Sequence, residues 1–464
     1  MARLSTLLLL LLLCLPAQAG DHLPATVRRA LGTAGIPADA VAVVVQPLDA
    51  QKPRVSHRAD AAMNPASLIK LLTTLAALET LGPAHVWRTE ALAATPVDDG
   101  VLAGDLYLRG SGDPKLTYER LWLLLRELRA RGLREIRGDL VLDATAFAPV
   151  SHDPAAFDNK PLRPYNVGPD GLLFNFASVR LTLWPEHVGV RVFAEPLPAG
   201  HVIENRLQAV DARQCGEWRE ALEARLLPGR IILSGPFPRV CGERSWNLAG
   251  LPNAVLLHGV FTRLWRELGG EFVGGVRNAP APVDAVPLAF TDSPPLGELV
   301  RDINKFSNNV MARQLFLSLA GEKVSAGGTA AELAVREWLA RRQLDFPELV
   351  IDNGAGLSRA TRISAGNLAR LLAAGWTSPA MPEFVASLPI AAIDGTVKKK
   401  FNGNGVAGRA HLKTGSLEGV RGIAGYLLDR HGRRHLVVAM VNHANAGRAQ
   451  PAFDALLDWL WHGK

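Results

Sequence analysis

Apolar residues recur at helical spacing in some stretches of the chain and at strand spacing in others. Residues 24–34 show the spacing of a short helix, and the β-branched run 41–46, bounded by turn residues, predicts a buried strand. From about residue 86 to 285, short apolar runs alternate with turns and prolines, which indicates a β-rich region. Within it, residues 118–131 carry leucine and tryptophan at the spacing of a helix that packs on a core.

Helical spacing returns in the C-terminal part, over residues 295–302, 307–319 and 329–342. The chain then closes with two strand-like runs and an amphipathic helix, at 423–428, 435–441 and 451–461. Helices at both ends with strands beside them predict an α/β (α+β) sandwich. We therefore expect a discontinuous domain of residues 20–85 and 286–464, interrupted by an inserted region, 86–285, that forms two small domains.

One predicted helix is largely apolar and carries two polar residues in its first turns. The segment begins with Asn64 and Pro65, residue types that favour the N-cap and the first helical position, and then runs apolar through Leu78. We therefore expect a buried helix that carries Ser67 and Lys70 in its first turns. Residues three apart on a helix have β-carbons roughly 5 to 6 Å apart, so this hydroxyl and this amine can meet.

The first 19 residues have the three parts of a secretory signal peptide. They comprise a charged start with Arg3, an apolar run over residues 7–15, and an A-x-A end at residues 17–19. We expect cleavage after Ala19. The apolar run falls short of the roughly 20 residues that span a bilayer, which disfavours the alternative of a membrane anchor.

Removal of the signal peptide would take away Cys14 and leave two of the three cysteines, Cys215 and Cys241. Disulfides persist in the oxidising compartment to which an exported chain travels, so we expect these two to form a bridge. Two free buried thiols are the alternative. The twelve histidines show no paired metal-ligand spacing, and we expect no metal and no other cofactor.

The net charge of +7 favours polyanionic neighbours. Anionic wall polymers are one such partner, and a membrane surface to which the protein binds peripherally is another. The only dense basic run, residues 398–400, is typical of a solvated turn. We therefore expect no nucleic-acid partner.

A serine beside a lysine can act as a nucleophile with its base when the lysine is neutral. Lys70 lies between Ile69 and Leu71, and burial among such residues lowers the pKa of an amine by disfavouring its charged form. The sequence contains this S-x-x-K pattern once. A surface serine with a solvated lysine is the alternative interpretation.

Two further short motifs follow in the C-terminal part. Ser307 and Asn309 form S-x-N, which alone is also typical of an N-cap and turn. Lys413, Thr414 and Gly415 form K-T-G at the head of a predicted hairpin. The order S-x-x-K, S-x-N, K-T-G is a set associated with penicillin-binding proteins and serine β-lactamases.

With these motifs the chain resembles the class C low-molecular-mass penicillin-binding proteins, the D-alanyl-D-alanine carboxypeptidase/endopeptidases of peptidase family S13. The likeness covers nearly the whole mature chain and includes residues 110–116, 304–315, 352–359 and 412–426. Between Lys70 and Ser307 lie 236 residues, a long gap that in this family holds two inserted domains. The resemblance implies a penicillin-binding/serine β-lactamase-like transpeptidase fold and a periplasmic enzyme that acts on peptidoglycan stem peptides.

The resemblance also implies a role for each motif residue. Ser67 would attack the carbonyl between the last two D-alanines with neutral Lys70 as base, and Ser307 would pass a proton to the leaving amine. Asn309 would hold Lys70, and Lys413 would supply a second cation. The side chains of Thr414 and Ser416 would bind the terminal carboxylate, Gly415 would leave room for close approach, and the backbone N–H groups of Ser67 and Ser416 would form the oxyanion hole. β-Lactam antibiotics would be covalent inhibitors.

Two more residues follow from the resemblance alone. In relatives an aspartate of the inserted region and the arginine that ends the G-L-S-R segment bind the side chain of the diamino acid in the stem peptide. Here these residues are Asp158 and Arg359, and this chain has Phe157 and no tryptophan beside the aspartate. A solvated loop carboxylate is the alternative for Asp158.

Two other functions are compatible with part of the pattern. A β-lactamase or esterase on the same scaffold would differ in how fast water removes the acyl group, and the long insertion argues against it. A wall-binding protein without catalytic activity would keep the fold but lose the motifs, and the complete motif set argues against that.

Overall fold

The computed structural model describes residues 23–149, 151–321, 328–403 and 405–463. The predicted signal peptide, residues 1–19, lies outside the described residues. The first elements are α1 (Ala25–Thr33), β1 (Val41–Pro47), β2 (Val55–His57) and α2 (Lys70–Leu81). A 3-10 turn, Ala66–Ile69, leads directly into α2.

The middle of the chain is rich in short strands, as predicted, but it also holds a second long helix, α4, that we did not predict. Its elements are β3 (Arg88–Ala93), β4 (Val97–Asp98), β5 (Val101–Leu102), β6 (Leu106–Arg109), α3 (Tyr118–Ala130), β7 (Glu135–Ile136), β8 (Leu140–Asp143), β9 (Ser178–Pro185), β10 (Val190–Glu195), β11 (Val202–Val210), β12 (Glu223–Leu227), β13 (Arg230–Pro238), β14 (Arg244–Ala249), α4 (Asn253–Glu267), β15 (Glu271–Phe272), β16 (Val276–Asn278) and β17 (Val286–Asp292). These strands form four small sheets.

The C-terminal part returns to helices and then to three long strands. Its elements are α5 (Leu296–Lys305), α6 (Asn309–Ser318), α7 (Gly328–Arg341), α8 (Ala365–Trp376), α9 (Met381–Ser387), β18 (Ala410–Leu417), β19 (Val420–Leu428), β20 (Arg434–Asn442) and α10 (Gln450–Trp461). Helices α8 and α9 were not predicted from the sequence.

A five-stranded antiparallel sheet joins the two ends of the chain, in the order β18, β19, β20, β1, β2. Val44 and Met440 belong to an apolar core formed with α2 and the helices α5 to α8, whereas Val43 and Val437 belong to a second core with α1 and α10. Because successive side chains of a strand point to opposite faces, both faces of the sheet are buried. This layered arrangement confirms the predicted α/β sandwich.

The inserted region has an apolar core of its own, to which α3, α4 and strands from all four sheets contribute. Strand β17 pairs with β3, so the sheet of this region extends seven residues past residue 285, to Asp292. Both ends of the region meet at Trp87 and Ser293. The backbone N–H of Trp87 donates to the Ser293 hydroxyl at 3.0 Å, and the backbone N–H of Ser293 donates to the carbonyl oxygen of Trp87 at 2.8 Å. Cys215 and Cys241 are joined by a disulfide within this region.

Candidate active site

Ser67 lies in the 3-10 turn that precedes α2, and the turn is set by Asn64. The Asn64 side chain accepts a hydrogen bond of 2.8 Å from the backbone N–H of Ala66, which has a φ of 47°. We predicted that Asn64 and Pro65 begin an α-helix. That prediction is wrong, because α2 begins only at Lys70. The left-handed residue immediately before Ser67 places the serine on a sharp bend rather than within a regular helix.

Lys70 is completely buried and contacts the candidate nucleophile. Its Nζ lies 3.0 Å from Ser67 Oγ and 2.6 Å from Asn309 Oδ1, and it also donates to the carbonyl oxygen of Ala355. Burial, with the charges of Lys413 and Arg313 adding to it, holds the pKa of Lys70 well below its usual range. A neutral amine is thus favoured beside the Ser67 hydroxyl, as a general base requires.

The S-x-N motif lies at the break between α5 and α6. Ser307 has a φ of 55°, and Asn308 is the N-cap of α6, accepting from the backbone N–H of Met311 at 3.1 Å. Helix α6 therefore begins at Asn309 rather than at Ser307. This break turns Ser307 towards Lys413, whose Nζ lies 2.9 Å from its hydroxyl, while Asn309 contacts Lys70.

The K-T-G motif lies on β18, at the edge of the central sheet. Lys413 is fully buried, and burial lowers its pKa to about 7. The Thr414 hydroxyl bonds to that of Thr396 at 2.9 Å, and Ser416 is exposed. A Cβ at Gly415 would lie 2.5 Å from the carbonyl oxygen of Pro65, so glycine is required for the strand to pack against the turn that carries Ser67.

The three motifs thus converge although 236 residues separate the first two in sequence. One hydrogen-bonded group joins Ser67, Lys70 and Asn309, and a second joins Ser307 and Lys413. Ser307 and Asn309 lie two residues apart at the start of α6, so the two groups lie side by side. The arrangement offers a hydroxyl, a neutral base and a second hydroxyl beside a second amine, which are the groups that acyl transfer needs.

Several site residues were not found from the sequence. The segment 352–359 was noted only as a family likeness, yet its Ala355 carbonyl is an acceptor for Lys70. The signal was the pair of glycines around it: Gly354 and Gly356 have φ of 65° and 75°, and a Cβ at Gly356 would meet the carbonyl oxygen of Ala66 at 2.0 Å. Thr396 and Arg313 carried no signal in the sequence.

Arg359 lies near the segment that carries Asp158. Both side chains already form contacts within the protein. The Asp158 carboxylate accepts from the Tyr165 hydroxyl and the Asn166 side chain, each at 2.8 Å. Arg359 lies 5.0 Å from the centre of the Phe157 ring and donates to the carbonyl oxygen of Glu418 at 2.9 Å. Phe157 also packs into a small apolar cluster with Ala66, so the inserted region reaches the turn that carries Ser67.

A side cavity of about 640 Å³ lies between α6, the segment 352–360 and the loop 151–169 of the inserted region. Arg359 lines it, whereas Asp158 is not among its lining residues. Its lining also includes Asp153, Phe157, Arg313 and Asp352. The cavity therefore lies between the inserted region and the two segments, α6 and 352–360, that contact Lys70.

Within the described ranges, no group of three or more histidine, cysteine, aspartate or glutamate side chains is arranged to hold a metal ion. The same part of the chain contains no helix with the length and apolar character needed to cross a bilayer.

The fold is that of the penicillin-binding proteins. Penicillin-binding protein 4 of Haemophilus influenzae superimposes with a TM-score of 0.75 over 94% of this chain and 99% of that one, at 24% sequence identity. The same protein in complex with a β-lactam superimposes equally well, with a TM-score of 0.75 over 94% and 100% of the two chains, at 23% identity.

Comparison of the sequence with family profiles identifies one family among the penicillin-binding proteins. The profile of the D-Ala-D-Ala carboxypeptidase 3 (S13) family matches residues 23–460, so the chain belongs to that family of serine peptidases. A D-alanyl-D-alanine carboxypeptidase from Actinomadura sp. (strain R39) is 29% identical over 403 residues, which is 83% of this chain and 74% of the relative.

Proposed function

We propose that this protein is a serine-type D-Ala-D-Ala carboxypeptidase, with DD-endopeptidase activity on cross-links, that acts on peptidoglycan stem peptides through an acyl-enzyme on Ser67. The observation that carries the proposal is the contact of 3.0 Å between Ser67 Oγ and the buried, neutral-favoured amine of Lys70. Family membership and the name of the Actinomadura relative support the choice of bond. Trimming and cross-link cleavage break the same type of bond, so one site serves both.

The proposed reaction follows the contacts in order. Lys70 takes the Ser67 proton as the hydroxyl attacks the carbonyl between the two terminal D-alanines, and the oxygen of that carbonyl develops negative charge. The backbone N–H groups of Ser67 and Ser416 stabilise this charge, and one such donor is typically worth about 10²- to 10³-fold in rate. Ser307, held by Lys413, returns a proton to the leaving amine, and water then releases the acyl group.

The remaining roles concern substrate binding. Lys413 attracts the terminal carboxylate, and the hydroxyls of Thr414 and Ser416 bind it. The discontinuous domain 20–85 and 286–464 carries all of these groups, and the inserted region 86–285, two small domains in this proposal, contributes a wall of the side cavity. We propose that the mature enzyme is periplasmic, is inhibited covalently by β-lactams and functions in remodelling the cell wall.

Labelled benzylpenicillin tests the proposal. We expect one stable adduct on Ser67 in the wild type, none in Ser67→Ala, and an unchanged adduct in Ser234→Ala, a matched change on a strand of the inserted region. Rapid turnover to penicilloate would identify a β-lactamase instead. Product analysis on cross-linked muropeptides then measures released D-alanine and cleaved dimers, and the absence of both would leave a wall-binding protein.

A further inference from the structure

Phe306 is the most exposed phenylalanine, tyrosine or tryptophan among the residues that the structure describes, and it immediately precedes Ser307. It is 68% exposed, whereas the other exposed phenylalanines, Phe193 and Phe290, reach 52% and 40%. Single exposed apolar residues are common on protein surfaces, so exposure alone indicates no function. The position of this ring beside a candidate catalytic hydroxyl is the observation that requires an explanation.

The backbone on both sides of Phe306 is fixed by its neighbours. Lys305 is buried, and its Nζ donates to the Asp394 carboxylate at 2.7 Å. On the other side, Ser307 has a φ of 55°, and its hydroxyl accepts from Lys413 Nζ at 2.9 Å. These two anchors hold the backbone in the conformation that presents the ring to solvent.

A short segment, residues 393–396, packs against Phe306 and carries a second exposed apolar side chain. A Cβ at Gly395 would lie 2.5 Å from the carbonyl oxygen of the residue before Phe306, so the two backbones are in contact. Ile393, at the start of the segment, is 55% exposed. The threonine at the end of the segment accepts a hydrogen bond of 2.9 Å from the Thr414 hydroxyl, so the segment connects Phe306 with the K-T-G strand.

Strand β18 shows on which side of the scissile bond these residues lie. In the proposed mechanism, Thr414 binds the terminal carboxylate, and the N–H of Ser416, two residues further along, belongs to the oxyanion hole. The side cavity adjoins the far end of the strand, because Arg359, which lines it, donates to the residue that follows β18. A strand advances by about 3.3 Å per residue, so Phe306 and Ile393 lie at the opposite end, where the leaving group departs.

We propose that Phe306 and Ile393 form a binding surface for the leaving part of the substrate, and that this surface favours a leaving residue with an aliphatic chain over D-alanine. The inference rests on the proposed function and specifies its substrate. A terminal D-alanine offers only a methyl group. In a cross-link, the leaving amine belongs to a diamino acid of a second stem peptide, whose aliphatic chain extends away from the bond. Each methylene that such a chain buries fully is worth about fourfold in affinity.

Two peptides that end in D-alanyl-D-alanine and in D-alanyl-D-norleucine test this assignment, because they differ only by methylenes in the leaving residue. We expect the wild type to cleave the second with a kcat/KM about fivefold or more higher, since the ring covers only part of the chain. In Phe306→Ala this ratio should fall towards one, and Phe306→Leu should keep part of it. Phe193→Ala, which removes an exposed ring of the inserted region, is the matched control and should keep all of it.

The same preference should appear with natural substrates. In a mixture of pentapeptide monomers and cross-linked dimers, we expect the wild type to cleave the dimers faster and Phe306→Ala to shift the products towards free D-alanine. Equal cleavage of both synthetic peptides by the wild type would overturn the inference. A ratio that persists in Phe306→Ala would also overturn it, because the ring would then at most position Ser307. If the wild type released no D-amino acid from either peptide, the proposed function itself would fail, and the inference with it.

Discussion

At the scale of single residues, the two buried amines differ in what surrounds them. Lys70 is close to a second lysine and an arginine, whereas burial alone accounts for the lowered pKa of Lys413. Two cations in one site repel each other, and this repulsion favours the neutral form of Lys70. In the proposed mechanism these surroundings favour Lys70 as the base and Lys413 as the cation, although the two side chains are chemically identical.

The pKa of Lys413 predicts an alkaline limit to activity. Because it lies at about 7, the free enzyme loses this charge as the pH rises through that value, and kcat/KM for a D-alanyl-D-alanine peptide should decline there. In Lys413→Arg the cation persists at higher pH. We expect a lower rate but a decline displaced to higher pH, measured in a kcat/KM profile from pH 5 to 10. A wild-type profile that stays flat above pH 7 would contradict the role of Lys413.

The candidate catalytic residues could be proposed from the sequence because each of their motifs is local. Ser67 and Lys70 lie within one turn, and K-T-G is contiguous, so short patterns reveal them. Arg313 and the Ala355 carbonyl could not be found this way, because their roles depend on burial and on contacts between distant segments. Asn64 was predicted to cap an α-helix, whereas it holds a tight turn. The close approach of β18 to this turn at Gly415 is a contact between distant segments, and a local pattern does not reveal it.

At the scale of elements, one buried carboxylate holds the turn between β19 and β20. Asp429 accepts from the backbone N–H groups of His431 and Arg433 at 2.8 and 2.9 Å, and from His435 at 2.9 Å. Burial opposes its ionisation, but these hydrogen bonds prevail and lower the pKa of Asp429 to about 2. The ionised carboxylate therefore stabilises a hairpin whose first strand, β19, pairs with the K-T-G strand β18.

Replacement of Asp429 by asparagine should destabilise the protein in a pH-dependent way. A carboxyl group with a folded pKa of about 2 and an unfolded value of about 3.9 contributes roughly 2.6 kcal/mol above pH 4. This contribution is lost as the pH falls through the folded pKa. We expect Asp429→Asn to lower the free energy of unfolding by about that amount at pH 7, and the difference to shrink towards pH 2.

Urea unfolding followed by the ability to form the benzylpenicillin adduct reports on this part of the fold, with each sample returned to pH 7 for labelling. Asp454→Asn, a change of the same type on α10, provides the control. The free energy of unfolding could instead differ between wild type and Asp429→Asn by the same amount at every pH. That result would show that the hydrogen bonds, and not the ionisation, stabilise the turn.

The helices and strands of the central layer were largely predicted because both faces of the sheet are covered. Burial on two sides produces continuous apolar runs such as 435–441, which are recognisable without a structure. Helix α9 was missed because it is only seven residues long and begins with proline, and α4 because the surrounding turns concealed its spacing.

At the scale of the whole molecule, the disulfide belongs to the core of the inserted region and not to the site. Cys241 is buried in that core, and the bridge closes a loop of 26 residues. Loop closure of this length is worth about 3.5 kcal/mol. We expect the double variant Cys215→Ala/Cys241→Ala to lower the free energy of unfolding of the inserted region by about that amount while benzylpenicillin acylation proceeds at the wild-type rate.

Calorimetry with and without a reductant measures this difference. Reduction should shift the transition of the wild type and leave that of the double variant unchanged. Slower acylation in the double variant, in parallel with the loss of stability, would contradict this prediction. It would show that the inserted region and the sandwich unfold as one unit.

The position of the inserted region could be predicted from the gap between motifs, but its contact with the site could not. The Gln314 side chain on α6 accepts from the backbone N–H of Asp170 and donates to its carbonyl, at 3.0 and 2.8 Å. Contacts between residues 144 positions apart leave no trace in local spacing. The side cavity exists only because these segments meet.

The junction at Trp87 and Ser293 suggests how such a molecule could arise. Because the chain leaves and re-enters the sandwich at two adjacent residues, residues 88–292 occupy the place of a single surface turn. An ancestor with a short turn there could have acquired the additional coding sequence in one event, with no change in the order of its remaining strands. Because the inserted region has its own apolar core, such an insertion would have brought a wall of the side cavity already folded.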